Sequence, residues 1–121
     1  MKFETHHVCL KVASIDRAKR FYEQALGFRE NAVCHHTPTV RSCFMMTSDG
    51  LMQIQLLQLP DYIPRDTAYG HLGMKTEDIQ KSFEFHTQMG CVSAQIVEQA
   101  HQFGYFIKDP DGYETELVQL K

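Results

Sequence analysis

The chain has 121 residues, 43% of them apolar and 22% charged, enough for one ordinary globular domain with a real core, which excludes disorder and fibre. Twelve basic against fifteen acidic side chains give a formal charge of −3, and the basic residues are scattered, so nucleic acid is not an expected partner. No apolar stretch approaches the roughly 20 residues of a bilayer span, and no apolar run of signal-peptide length follows Met1-Lys2-Phe3-Glu4, so no membrane partner and a cytoplasmic location are expected.

Residues 6 to 12 alternate, with Val8, Leu10 and Val12 on one face and His7, Cys9 and Lys11 on the other, the period of a half-buried strand. On this alternation His6 falls on the face opposite His7 and is expected to take no part in its chemistry. Ser14 then reads as a helix N-cap, Ile15, Ala18, Phe21, Tyr22 and Ala25 recur at helical spacing, and Gly27 sits where a glycine stops a helix. Cys34-His35-His36 could pass for a ligand cluster, but consecutive strand residues point to opposite faces and Thr37-Pro38 follows, so a solvated loop is expected. Asp49-Gly50 is a turn leading into a run in which Gln53, Gln55 and Leu57 share one face. Leu59-Pro60-Asp61-Tyr62-Ile63-Pro64-Arg65, with two prolines, reads as an extended linker.

A second strand carries His71, Gly73 and Lys75 on one face and Leu72 and Met74 on the other. Asp78 caps a helix whose expected apolar stripe is Ile79, Ser82, Phe85 and Met89, with Gly90 as its stop. Asp109-x-Asp111-Gly112 lacks the remaining ligands of a calcium loop and reads as a turn, after which Glu114, Glu116 and Val118 share a face. Met45, Met46, Met52 and Met74 are expected core fillers. The four cysteines, at 9, 34, 43 and 91, show no metal or disulfide spacing and are expected as free thiols.

These elements form a repeat. Tyr69-Gly70-His71-Leu72-Gly73-Met74-Lys75 falls on Thr5-His6-His7-Val8-Cys9-Leu10-Lys11 at a constant offset of 64, continuing through Ile15/Ile79 and Phe21/Phe85. After the turn the register slips, and Gln55-Leu56-Leu57-Gln58-Leu59 matches Glu116-Leu117-Val118-Gln119-Leu120 at an offset of 61. The chain therefore reads as α+β: two β-α-β-β-β modules, about 1–59 and 69–121, joined by a linker at about 60–68.

The apolar face of each first strand needs cover from its helix, which leaves the opposite face to line a cup. If the modules pack about a pseudo-twofold axis, His7, Gln55, His71 and Glu116 converge. Two imidazoles, one carboxylate and one amide oxygen suit a divalent first-row metal with open positions for substrate, and they do not suit a closed structural zinc. A lone histidine beginning a strand is more often structural than a ligand; recurrence of His and then Gln/Glu at matching positions favours the metal. Lys11 and Lys75 lie on the same face, roughly 13 Å of strand rise beyond each histidine. They suit either a solvated rim or binding of a substrate carboxylate or phosphate. Glu114 reads as a rim carboxylate or a second base.

The motifs His7-Val8-Cys9-Leu10-Lys11-Val12, Phe21-Tyr22-Glu23-Gln24-Ala25-Leu26-Gly27-Phe28, Gly70-His71-Leu72 and Lys108-Asp109-Pro110-Asp111-Gly112-Tyr113-Glu114-Thr115-Glu116-Leu117 resemble the vicinal oxygen chelate superfamily. That superfamily includes glyoxalase I, methylmalonyl-CoA epimerase, extradiol dioxygenases and the fosfomycin and bleomycin resistance proteins. The resemblance implies paired βαβββ modules in a U-shaped, mostly antiparallel sheet around one divalent ion, whether Ni, Co, Zn, Mn or Fe, and often a homodimer. It also implies a small-molecule substrate that binds through vicinal oxygens. The Asp-Pro-Asp-Gly turn is similar to glyoxalase I, while the set His, Gln, His, Glu is similar to the epimerase. The leading expectation is a glyoxalase I-like lyase or isomerase, of lactoylglutathione lyase or epimerase type, in which the metal stabilises an enediolate and Glu116 shuttles the proton. The alternatives are an Fe(II) ring-cleavage dioxygenase using His7, His71 and Glu116, for which no acid/base histidine can be assigned among His35, His36, His86 and His101, and a binding protein without chemistry.

Overall fold

The computed structural model describes residues 1–35, 41–61 and 70–121 and divides into two compact units, Met1–Arg65 and Asp66–Lys121. The first contains β1 (Val8–Val12), α1 (Ile15–Leu26), β2 (Arg29–His35), β3 (Arg41–Met46) and β4 (Gln53–Gln58). The second contains β5 (Leu72–Lys75), α2 (Ile79–Met89), β6 (Val92–Glu98), β7 (Gln102–Lys108) and β8 (Glu114–Leu120). Each unit is thus a βαβββ module, as the repeat implies. Cys34 and His35, expected in a loop, extend β2 opposite Ser42 and Arg41, whereas His36-Thr37-Pro38 and the linker segment Tyr62-Ile63-Pro64-Arg65 lie outside the described residues.

Both sheets share one topology, β1-β4-β3-β2 and β5-β8-β7-β6. The first strand pairs parallel with the last, and the remaining pairs are antiparallel. A parallel pair cannot be closed by a hairpin, so the helix that follows the first strand carries the chain back over one sheet face and buries it. Ser14 and Asp78 cap the two helices by accepting from the N–H groups of Arg17 and Lys81, and Gly27 and Gly90 end them at φ 68° and 76°, where only glycine is unstrained. A further orphan donor at each N-terminus is met from the sheet: Gln58 Oε1 accepts from Ile15 N at 2.8 Å, and Gln119 Oε1 from Ile79 N at 2.6 Å. These two glutamines occupy matching places in the repeat, so each helix is tied to its module's last strand in the same way.

Under α1 the core is apolar: Leu10, Val12, Ile15, Ala18, Tyr22, Ala25, Phe28, Cys43, Met45, Ile54 and Leu56 are buried. Met45 fills it as expected, while Met46, Met52 and Met74 are only half-buried. Burial pushes the Cys43 thiol up to about 11, so it behaves as a small apolar group.

The second core differs. Besides buried Leu72, Ile79, Ile107 and Leu117 it holds a polar pair, His86 and Tyr105, which are 3% and 0% exposed and joined by a 2.7 Å Nδ1–Oη hydrogen bond. His86 occupies the repeat position of Tyr22. The expected stripe of α2 is corrected at one position: Ile79 is buried and Ser82 and Met89 are half-buried, but Phe85 is 48% exposed and the second buried residue of the helix is His86. Six residues beyond Ile79 is well off a 3.6-residue period, and the pairing of Phe85 with Phe21 matched two residues that both sit beside the core. Burial raises the Tyr105 hydroxyl far above its usual range, so it stays protonated. Tyr105→Phe should therefore strip His86 of this partner and cost about 1–3 kcal/mol, measurable by urea denaturation, while Cys43→Ser in the other unit tests the same burial penalty with opposite chemistry.

Candidate metal and proton-transfer site

Each helix covers one face of its sheet and leaves the other open. Across the first sheet, Ala32, Phe44, Gln55 and Cys9 are successive Cα partners; across the second, Ala94, Phe106, Glu116 and Gly73 are. The two rows match position for position, and the histidines stand one pleat before Cys9 and Gly73. His7 meets the Phe44 ring edge-on at 5.3 Å and 85°, and His71 meets Phe106 at 5.1 Å and 88°. Each expected ligand histidine is therefore braced by an aromatic ring from the third strand of its module. The two phenylalanines were not singled out from the sequence, although Cys43-Phe44-Met45 and Tyr105-Phe106-Ile107 share an offset of 62, between those of the flanking matches.

In the second unit the histidine and the carboxylate come together. His71 Nε2 lies 3.8 Å from Glu116 Oε1, with side chains 44% and 21% exposed. Gly104 lies beside that carboxylate, where a Cβ would be in ordinary van der Waals contact at 3.4 Å from Glu116 Oε2. Glu114 is directed elsewhere, its Oε2 accepting from Ser93 Oγ at 3.0 Å. The first unit repeats this with Asn31 Nδ2 donating to Gln53 Oε1 at 2.6 Å. Asn31 and Ser93 both sit where the second strand's register shifts, a bulge that turns a side chain back over the sheet. Of the two carboxylates on this face, Glu116 is the one beside histidine.

In the first unit Gln55 is half-buried at the place of Glu116, opposite Cys9. Cys9 is a free, exposed thiol; desolvation against the sheet raises its pKa and outweighs the opposing charge of Lys11, so it is protonated near neutrality. Lys11 and Lys75 are exposed on their strands opposite Leu57 and Val118. Lys75 also borders a shallow groove of about 540 Å³ with Thr76, Glu77, Gln119 and Leu120. Within either unit, no three His, Cys, Asp or Glu side chains gather among the described residues.

The strand register corrects one expectation. His6 and His7 both precede β1, which begins at Val8, and His6, instead of facing away from His7, has its Nδ1 2.8 Å from His7 Nδ1. Two further histidines are placed among the described side chains. His86 is on the buried face of α2, and His101 is exposed between β6 and β7.

Residues 4–117 match the family described as the Glyoxalase/Bleomycin resistance protein/Dioxygenase superfamily. The lactoylglutathione lyase of Haemophilus influenzae is 30% identical over 127 residues, covering 95% of this chain and 91% of that protein. Among solved structures, a glyoxylase/bleomycin resistance protein/dioxygenase domain from Frankia sp. EAN1pec superposes with a TM-score of 0.83 at 19% identity, covering 100% of both chains. The genomically encoded fosfomycin resistance protein of Listeria monocytogenes, complexed with Mn(II) and sulfate, gives 0.75 at 15% identity over 98% of this chain and 93% of that one.

Proposed function

The chain belongs to the glyoxalase/bleomycin resistance protein/dioxygenase superfamily, and from that premise we propose that it is a divalent-metal-dependent enzyme of glyoxalase I type, a lyase or isomerase that moves a proton at the carbon next to a carbonyl. The supporting observation is the His71–Glu116 pair, 3.8 Å apart on an open sheet face, with His7 and Gln55 at the matching positions of the other module. That separation lets one ion reach both atoms at ordinary bond lengths of about 2.0–2.2 Å, and the imidazole, carboxylate and amide donors fit a borderline divalent metal. We take the two units as halves of one domain, with His7, Gln55, His71 and Glu116 as the ligands. An ion held there would supply fixed positive charge beside substrate oxygens as negative charge develops on them.

The chain's own groups do the rest. Glu116 accepts the proton from the carbon next to the carbonyl and returns it to the neighbouring carbon. Gln55 ligates only, since an amide has no useful basicity. Phe44 and Phe106 hold the imidazoles and exclude water from one side of the reacting atoms. Lys11 and Lys75 present ammonium groups for an anionic part of the substrate. Free thiols at Cys9, Cys43 and Cys91 suit a reducing cytoplasm, and a homodimer is the proposed assembly.

The test combines metal analysis with anaerobic proton exchange. Wild-type protein should take up one divalent ion and catalyse solvent deuterium exchange next to the carbonyl of a hydroxyketone or a glutathione hemithioacetal without oxygen; His71→Ala should lose both. Turnover only with Fe(II) and dissolved oxygen would make the protein a dioxygenase. Failure to bind any ion at near-stoichiometric supply would make it a binding protein.

A further inference from the structure

The two modules hold their histidines differently. His71 has Glu116 near its Nε2 and Phe106 at its side, and the residue before it is Gly70, which has no side chain. His7 has Phe44 at its side and Gln55 in place of the carboxylate, but the residue before it is His6. The two imidazoles meet at 2.8 Å through their Nδ1 atoms, with rings 5.0 Å apart and inclined at 74°. His6 also lines a cleft of about 160 Å³ walled by Met46, Met52 and Gln53, and Gln53 is itself tied to Asn31. His7 is thus bounded by an aromatic ring on one side and a hydrogen-bonding ring on the other.

We propose that His6 is a positioning residue for His7: its Nδ1 accepts a hydrogen bond from His7 Nδ1–H and so fixes the tautomer whose Nε2 carries the free lone pair. Two neutral imidazoles in contact through Nδ1 must share one proton there, and if His7 holds it, His7 Nε2 is unprotonated. His71 already presents its Nε2 toward Glu116, so the pairing makes Nε2 the ligating nitrogen in both modules. A hydrogen bond to the far nitrogen of a ligand histidine orients the ring and raises its basicity. In the first module, where an amide replaces the carboxylate, this contact makes up part of the difference. The inference rests on the metal reading above, and the experiment separates the two.

The variants are His6→Ala, His6→Phe, which keeps a ring but no acceptor, and His6→Asn, whose amide oxygen can stand near the lost Nδ1. Two measurements apply to each: the tautomer of His7 in metal-free protein, read from long-range ¹⁵N–¹H couplings at a pH well above the usual histidine range, and the affinity for Co(II) in competition with a chromophoric chelator. Wild type should show His7 protonated at Nδ1. His6→Ala and His6→Phe should release that preference and weaken Co(II) by about 10- to 100-fold at unchanged stoichiometry, with His6→Asn recovering most of the loss. A His7 tautomer that ignores His6→Ala, or that carries its proton on Nε2 in wild type, overturns the proposal. So does wild-type affinity in His6→Phe, which would reduce the contact to packing, or loss of the whole site in His6→Ala, which would make His6 a ligand. A tautomer that responds as expected in a protein that takes no Co(II) sustains the pairing and sinks the metal reading alone.

Discussion

Glu116→Gln should leave the fold intact and lower the isomerase rate by about 10²- to 10⁴-fold, the usual cost of losing a general base. The side chain keeps its shape, and the amide oxygen can still ligate. What disappears is the proton acceptor beside His71. Gln55→Glu should act in the opposite sense. It adds a second carboxylate and binds a divalent cation more tightly through the extra charge, with a higher rate on a glutathione hemithioacetal as the expected gain. Metal content and rate measured on both variants separate ligation from proton transfer. Full rate with full metal in Glu116→Gln would remove Glu116 as the base and leave metal binding alone at this site.

Phe28→Ala should be the most damaging single change to the fold outside the site, at about 3–5 kcal/mol. The ring is 1% exposed and stacks on Tyr22 with centroids 5.7 Å apart and an interplanar angle of 18°. It lies directly after Gly27, where the chain leaves α1 for β2, so the cavity opens between helix and sheet with little chance of collapse. Against a typical stability of about 5–15 kcal/mol, the variant would sit near the edge of folding at moderate temperature. Urea denaturation of wild type and variant reads the loss directly, and a shift of less than about 1 kcal/mol would mean that the surrounding side chains repack.

The architecture was legible because duplication writes the same physical requirement twice, and the same repeat is what singled out the proposed site residues. One histidine at a strand start is ambiguous; His7 and His71 recur at an offset of 64 and Gln55 and Glu116 at an offset of 61, and that recurrence is what favours a shared site. Caps and stops were legible for a local reason, since Ser14, Asp78, Gly27 and Gly90 act within one turn of where they stand in the chain. The same locality let alternation identify the faces of β4 and β8, with Ile54, Leu56, Thr115 and Leu117 buried.

Only the folded chain decided what depends on a partner distant in sequence or on where an element begins. Phe44 and Phe106 became supports for the histidines through strand pairing, which sequence spacing does not encode. Identity at the repeat placed Phe85 in the core, yet helical rotation turned it outward and gave the buried position to His86, whose polar ring is met there by Tyr105 arriving from β7. His6 shows the same limit at the shortest range. Period-two alternation holds where a strand is paired, β1 begins at Val8, and two residues earlier the backbone is free to bring adjacent imidazoles together.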